Sequence, residues 1–207
     1  LNGGAGNIGF GATLDGGFGL STSTTGATTF GGAVGGSAAL GSLTVNTASL
    51  TAGGLKLSGA LSVTHSGAGT VSGVIEGTTL SKAGGGTLTL SGANTYTGGT
   101  TVSGGTLVLT STGTLGSTSG GLTLSGGTLD LQRTLTVGSL SMSGVVTPAI
   151  TNSTGTSSLT VSGVSTLAGT ITTSGAQTYS GAVTLGADTA LNGGAGNIGF
   201  GATLDGG

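Results

Sequence analysis

Residues 4–9 read GAGNIG, and residues 194–199 repeat them, so that Gly4, Gly6 and Gly9, and again Gly194, Gly196 and Gly199, spell GxGxxG. That spacing serves dinucleotide binding when a helix opens behind it to hold the pyrophosphate and an acid about twenty residues on holds a ribose. The residues that follow, FGATLDGGFG, cannot make that helix, and no acid stands at the required distance. With 50 glycines in the chain the match is cheap, and these are read as turn glycines. The same stretch lacks the aspartates of the calcium-binding nonapeptide repeat.

His65 is the only histidine, and Glu76 is its nearest acid, so a Ser-His-acid triad is conceivable on paper. No GxSxG elbow or oxyanion-hole signature accompanies it, and the expectation is a solvated histidine at a corner. Asp130 and Arg133 are expected to form a surface ion pair worth about 0–1 kcal/mol. Polysaccharide cleavage would need clustered carboxylates and aromatic sugar platforms, whereas five acids, two Tyr and no Trp are present. Without Cys there are no disulfides and no thiolate metal sites. No catalytic, cofactor-binding or metal-binding residue is assigned, and the chain is not expected to be an enzyme. Asn152-Ser153-Thr154 is a glycosylation sequon, informative only in a eukaryotic secretory host. The words Thr95/Thr97, Thr134/Thr136 and Thr170/Thr172 have the form used by ice-binding solenoids, which need them aligned on one flat face; outward positions of any Thr-rich strand generate the same word.

The elements that would carry these residues follow from composition. Gly, Ser and Thr fill 117 of 207 positions, charged residues are 4% and aromatics 3%. Gly costs about 1 kcal/mol relative to Ala inside a helix, and Ser and Thr are also poor formers, so helices are nearly excluded. A net charge of −2 offers no footprint for nucleic acid or an anionic membrane, and no run approaches the ~18–20 apolar residues of a membrane-spanning helix.

Alternation of apolar and polar residues is pervasive. LKLSG at 55–59, LTLSG at 88–92, LVLTS at 107–111, LTLSG at 122–126, LSMSG at 140–144 and LTVSG at 159–163 each have the period of a half-buried strand. Doubled glycines such as Gly104-Gly105 and Gly126-Gly127 follow as corners. Short strands and corners recurring every ~19 residues predict an all-β solenoid of stacked parallel strands, with a β-sandwich as rival. One coil buries too few apolar side chains to offset the ordering of its backbone, at roughly 1–2 kcal/mol per residue, so stability must come from stacking. About eleven coils would give a rod of roughly 50 Å. Asn94 is expected to form an amide ladder or cap a corner, Tyr96 to cover a neighbouring coil, with Gln177 and Tyr179 as a similar pair, and Pro148 with the polar run at 151–158 marks the best candidate for a protruding loop.

A longer period overlies the short one. Residues 1–17, LNGGAGNIGFGATLDGG, recur unchanged at 191–207, an offset of 190. This predicts one tandem unit over 1–190 and the start of the next at 191–207, both termini being cuts through a continuing array, with any export leader outside this stretch.

Residues 82–109, KAGGGTLTLSGANTYTGGTTVSGGTLVL, closely resemble the passenger-associated strand repeat of bacterial autotransporters, in the words GGGTLTLSGANTYTGGTTV and SGGTLVL. GAQTYSGAVTLGAD at 175–188 and TTGATTFGGAVGGSAALGSL at 24–43 resemble repeats of filamentous-haemagglutinin-like exoproteins, and these segments together span about a third of the unit. The resemblance implies secretion to the bacterial surface, a right-handed parallel β-helix, and a role as stalk, adhesin or matrix fibre without catalytic residues. No translocating barrel is present, and the flawless long repeat suggests an array more than a single passenger. The expected partners are other copies of the chain, end to end and through lateral bundling, with any glycan contact made by regions outside this stretch.

Overall fold

A computed structural model describes residues 1–144 and 149–206. It is all-β, with parallel strands stacked as a β-solenoid of about 10 turns, ~20 residues apart. No helix among the described residues is long and apolar enough to cross a membrane.

Each coil has three faces. The first carries, in order along the rod, Gly19–Thr24, Ser42–Thr47, Leu61–His65, Leu80–Ala83, Thr100–Val102, Gly121–Leu124 and Ser139–Met142, then the opening residues of Ser165–Thr172 and Val183–Asn192. The second runs from Ile8–Phe10 through Ala27–Phe30, Ser49–Ala52, Ala68–Val71, Thr87–Leu90, Thr106–Leu109 and Thr128–Leu131 to Ile150–Thr151. The third is less regular. It begins as bridges from Leu14 to Val34 to Leu55 and continues through Leu55–Lys56 and Ile75–Glu76; further on it re-forms a ladder from Thr134–Val137 to Ser158–Val161, Gln177–Tyr179 and Ile198–Phe200.

Alternation fixes what each strand buries. In Thr87–Leu90 the leucines point inward and Thr87 is exposed, and the ladder places Leu88 beside Leu107 and Leu107 beside Leu129 in one continuous column. Leu88, Leu90, Leu107, Leu109, Leu129 and Leu131 are all fully buried. A Leu withdrawn from water contributes about 1.5–3 kcal/mol, and Leu107, for one, lies between Leu88 and Leu129 in the coils on either side. Stacking therefore supplies what a lone coil lacks.

The expected period needs one correction. Residues paired between neighbouring coils lie as close as Leu43 and Leu61 or as far apart as Leu140 and Ser165, and about ten turns form rather than eleven. The strand words also belong to different faces: Leu88 and Leu107 to the second, Leu122 and Leu140 to the first, Leu159 to the third. Corners of unequal length between them produced the uneven spacing. At two corners glycine is required. Gly84 and Gly116 have φ of +76° and +34°, and a Cβ on either would strike the backbone carbonyl of His65 or Tyr96 one coil away. Pro148 lies outside the described residues. Beside it, 152–156 form a partly exposed corner tied down by Asn152, whose amide donates to Leu131 O and Thr154 O.

Candidate functional site

The polar side chains held inside the rod are the places where chemistry might have been built, and they fall into two groups. The first group sits at the corner between the first and second faces. Thr47 and His65 are register partners at the ends of their strands, and Lys82 is the inward residue of the next strand. Each donates to the carbonyl two residues further on: Thr47 Oγ1 to Ser49 O at 3.0 Å, His65 Nδ1 to Gly67 O at 3.0 Å, and Lys82 Nζ to Gly84 O at 2.8 Å. Thr47 also reaches Gly26 O in the coil before, and Lys82 reaches Gly104 O in the coil after. The corner leaves inward carbonyls with accepting capacity to spare, which these side chains take up; Gly26 O and Gly67 O also accept from Ala48 N and Thr87 N of the coils that follow them.

His65 is thus not the solvated corner residue that its position in the sequence implied. Only 1% of it is exposed, because its ring turns in to serve its own corner. Burial, and secondarily the charge of Lys82, hold its pKa below 6.5, while the bond to Gly67 opposes them. Since a carbonyl can only accept, Nδ1 carries the proton of the neutral ring, and Nε2 is left buried without a partner. Glu76 is exposed and its strand pairs with Leu55–Lys56 on the third face, so the structure does not bring the histidine and the acid together.

Lys82 was not singled out by the sequence reading. It has the parity of Leu80, pairs with Val63 on one side and Val102 on the other, and is fully buried. Its ammonium meets three carbonyls, of Ala83, Gly84 and Gly104, and burial lowers its pKa from 10.5 to about 8. The signal was available in the strict alternation of Leu80, Lys82 and their neighbours.

The second group lies on the third face. There Asn94 and Tyr96 point inward while Thr95 and Thr97 point out. Asn94 Oδ1 accepts from Ile75 N at 2.8 Å and its Nδ2 donates to Thr114 O at 2.7 Å, so one amide joins three coils where no regular ladder runs. Asn94 thus bridges backbone groups of its two neighbouring coils, with no amide-on-amide bond of the expected ladder. Tyr96 lies inside the rod with its ring against Gly116 of the next coil: it is 1% exposed, its hydroxyl lies 2.6 Å from Thr100 Oγ1, and burial raises its pKa. Gln177 and Tyr179 are a second inward pair on this face, with different partners. Gln177 Nε2 donates to Ile171 O, Thr173 Oγ1 and Asn192 O, and the Tyr179 hydroxyl donates to Gln177 Oε1.

The expected Asp130–Arg133 pair is replaced by separate bonds. Asp130 is only 8% exposed, its carboxylate accepting from Gln132 Nε2 and from the amide and hydroxyl of Ser153, whereas Arg133 donates to Gly113 O and Thr134 O. The corner at 152–156 supplies Ser153 and covers the acid. The Thr words do not share one face: Thr95/Thr97 and Thr134/Thr136 are on the third, Thr170/Thr172 on the second. An open groove of about 230 Å³ lies beside Thr24, Thr47, Thr64, His65 and Ser66; within it the Thr24 hydroxyl donates to Gly4 O and that of Thr47 to Gly26 O. No group of three or more His, Cys, Asp or Glu side chains that could hold a metal ion occurs among the described residues. Thr47, Lys82 and Asn94 spend their polar atoms on backbone groups of the rod itself.

Neither a curated protein nor a solved structure matches the chain at a significant level. Residues 80–109 match the family described as passenger-associated-transport-repeat. That stretch runs from the strand bearing Lys82, through Asn94 and Tyr96, to the end of Thr106–Leu109, which is one coil and half of the next. A β-solenoid with a segment similar to the passenger-associated transport repeat supports a surface-associated repeat protein.

Proposed function

We propose that this chain is a stretch of an extracellular fibre or surface stalk of bacterial origin, built from 190-residue tandem units that continue one β-solenoid. The observation that carries this reading is the combination of an unbroken stack of coils with a seventeen-residue segment repeated without change 190 positions on. In such a rod the product of folding is reach and stiffness. The interior polar groups serve corners and coil-to-coil bonds, the outward groups are mainly hydroxyls, and a charge content of 4% leaves little repulsion between neighbouring rods, which favours end-to-end and lateral association. The segment carries no reaction in this reading.

The match at 80–109 favours a second, compatible reading: the stalk belongs to an exported passenger whose receptor-binding tip lies elsewhere. Two measurements test these proposals. Small-angle scattering on proteins with one and with two 190-residue units should show constant cross-section and a length increment of about 45 Å, nine and a third turns at ~4.8 Å each; a second unit that widens the particle without lengthening it would overturn the fibre. Glycan arrays and host-cell binding with this segment alone should be blank for a stalk, and saturable binding would make it the adhesive part.

A further inference from the structure

The recurring seventeen-residue segment is folded twice in this chain, on different faces. In the first copy Ile8–Phe10 pairs with Ala27–Phe30 on the second face, and Leu14 bridges to Val34 on the third. In the second copy Ile198–Phe200 pairs with Gln177–Tyr179 on the third face, and Leu204–Gly206 pairs with the start of Val183–Asn192 on the first. Every position has moved on by one face. Following the second-face ladder from Ile8 through Thr28, Leu50, Gly69, Leu88, Leu107, Leu129, Ile150 and Ile171 leads to Leu191 after nine turns, and Ile198 falls on the face after that. The 190-residue period is therefore nine turns and one third.

The segment is portable because its seat is supplied on both sides. Phe10 stacks on Phe30, one coil after it, with ring centroids 5.0 Å apart and planes 2° from parallel. Phe200 stacks on Tyr179, one coil before it, at 5.4 Å and 14°. A copy placed between a preceding coil like that of Tyr179 and a following coil like that of Phe30 has an aromatic ring against each side of its own phenylalanine. Such stacked rings hold the seam beyond what their buried area alone supplies.

We infer that in a tandem array each 190-residue unit is set one face further round the rod than the unit before it, with a Tyr-Phe-Phe stack across every seam. An outward side chain present once per unit then returns to the same face only in every third unit, so the rod presents its unit-specific groups in three rows. Its lateral partner, a second copy of the rod, meets equivalent surfaces on all three faces, which gives a bundle and not a flat sheet. This inference rests on the tandem-fibre reading.

The register of the second copy can be tested in the present chain. Thr178 and Gly199 are outward partners in adjacent third-face coils, within disulfide reach at ~4.8 Å between Cα atoms, and a Cβ at Gly199 meets nothing within 4 Å. The double variant Thr178→Cys/Gly199→Cys should cross-link almost completely under mild oxidation, and Thr172→Cys/Gly199→Cys, the pair an unrotated second copy would bring together, should not. The reverse result, read by mass spectrometry on non-reduced peptides, overturns the rotation and leaves the fibre reading standing, whereas failure of the scattering test above overturns the fibre itself. Cross-linking of neither pair, in chains whose circular dichroism matches the unmodified protein, also overturns the rotation.

Discussion

Asn94 and Lys82 are polar side chains enclosed in the same coil, and both donate to a carbonyl of the coil that follows, Asn94 to Thr114 and Lys82 to Gly104. They reach that end by different physics. The amide is neutral, accepts from one coil while donating to the next, and exchanges its bonds to water for bonds of the same kind. The ammonium is charged in a position between Val63 and Val102, and the cost of removing it from water is what lowers its pKa to about 8. A β-solenoid can therefore repair an interrupted ladder with an amide at no cost in pH sensitivity, whereas a corner closed by an ammonium ties the stability of the rod to proton concentration.

The comparison can be broken most forcefully at Tyr96, which fills the interior beside Asn94. Tyr96→Ala should lower the unfolding free energy in urea by about 3–5 kcal/mol, as large-to-small changes of buried aromatics do; a loss under 1 kcal/mol would mean that the third face is not packed here. Next comes Asn94→Ala, which leaves Ile75 N and Thr114 O buried without their partner, and a loss of about 2–4 kcal/mol is expected. That loss should be the same at pH 7 and pH 10.

Lys82 should behave otherwise. Its folded pKa of about 8 lies below the 10.5 of the unfolded chain, so this site holds more protons in the unfolded state between those values, and stability rises with pH from about 8 until near 10, where Tyr96 and Tyr179, whose pKa burial raises, begin to act with the opposite sign. Lys82→Met should abolish that rise, as seen in denaturation midpoints across the interval; an unchanged slope would place the effect elsewhere. His65, with its pKa held below 6.5, should cost stability as pH falls through 6.5, by the same sign. The smallest effect is expected at Thr95, which shares its strand-like stretch with Asn94 and Tyr96 but points outward: Thr95→Ala should stay within about 0.5 kcal/mol.

Much of this architecture was legible in the chain. Alternation at Leu88 and Leu90 gave the inward side, and glycine corners with a recurring spacing gave the solenoid, because both patterns are local. Which words stack on which is not local: Leu107 and Leu122 look like successive rungs, yet sit on different faces, since the length of the corner between them decides the face. The polar interior was legible only by parity. Parity places Lys82 and Asn94 inside, and a reader weighing lysine as a surface residue passes over the first. It fails for Asp130, which has outward parity between Leu129 and Leu131 and is nevertheless covered by Ser153, a residue brought over it by the neighbouring coil. His65 was misjudged for a related reason: its corner position is exposed in general, and only the carbonyl of Gly67 explains why this ring turns in.

Along this rod, sequence separation converts to height by whole coils. Thr29, Thr70, Val108 and Thr151 stand in one second-face column, reached from Thr29 after two, four and six coils. Spin labels on Thr29→Cys paired in turn with cysteines at 70, 108 and 151 should give backbone separations of ~10, ~19 and ~29 Å by distance-resolved electron paramagnetic resonance, linear in coil number. Distances that do not grow in proportion, as in a sandwich where strands distant in sequence return to one another, would rule out a stack of coils.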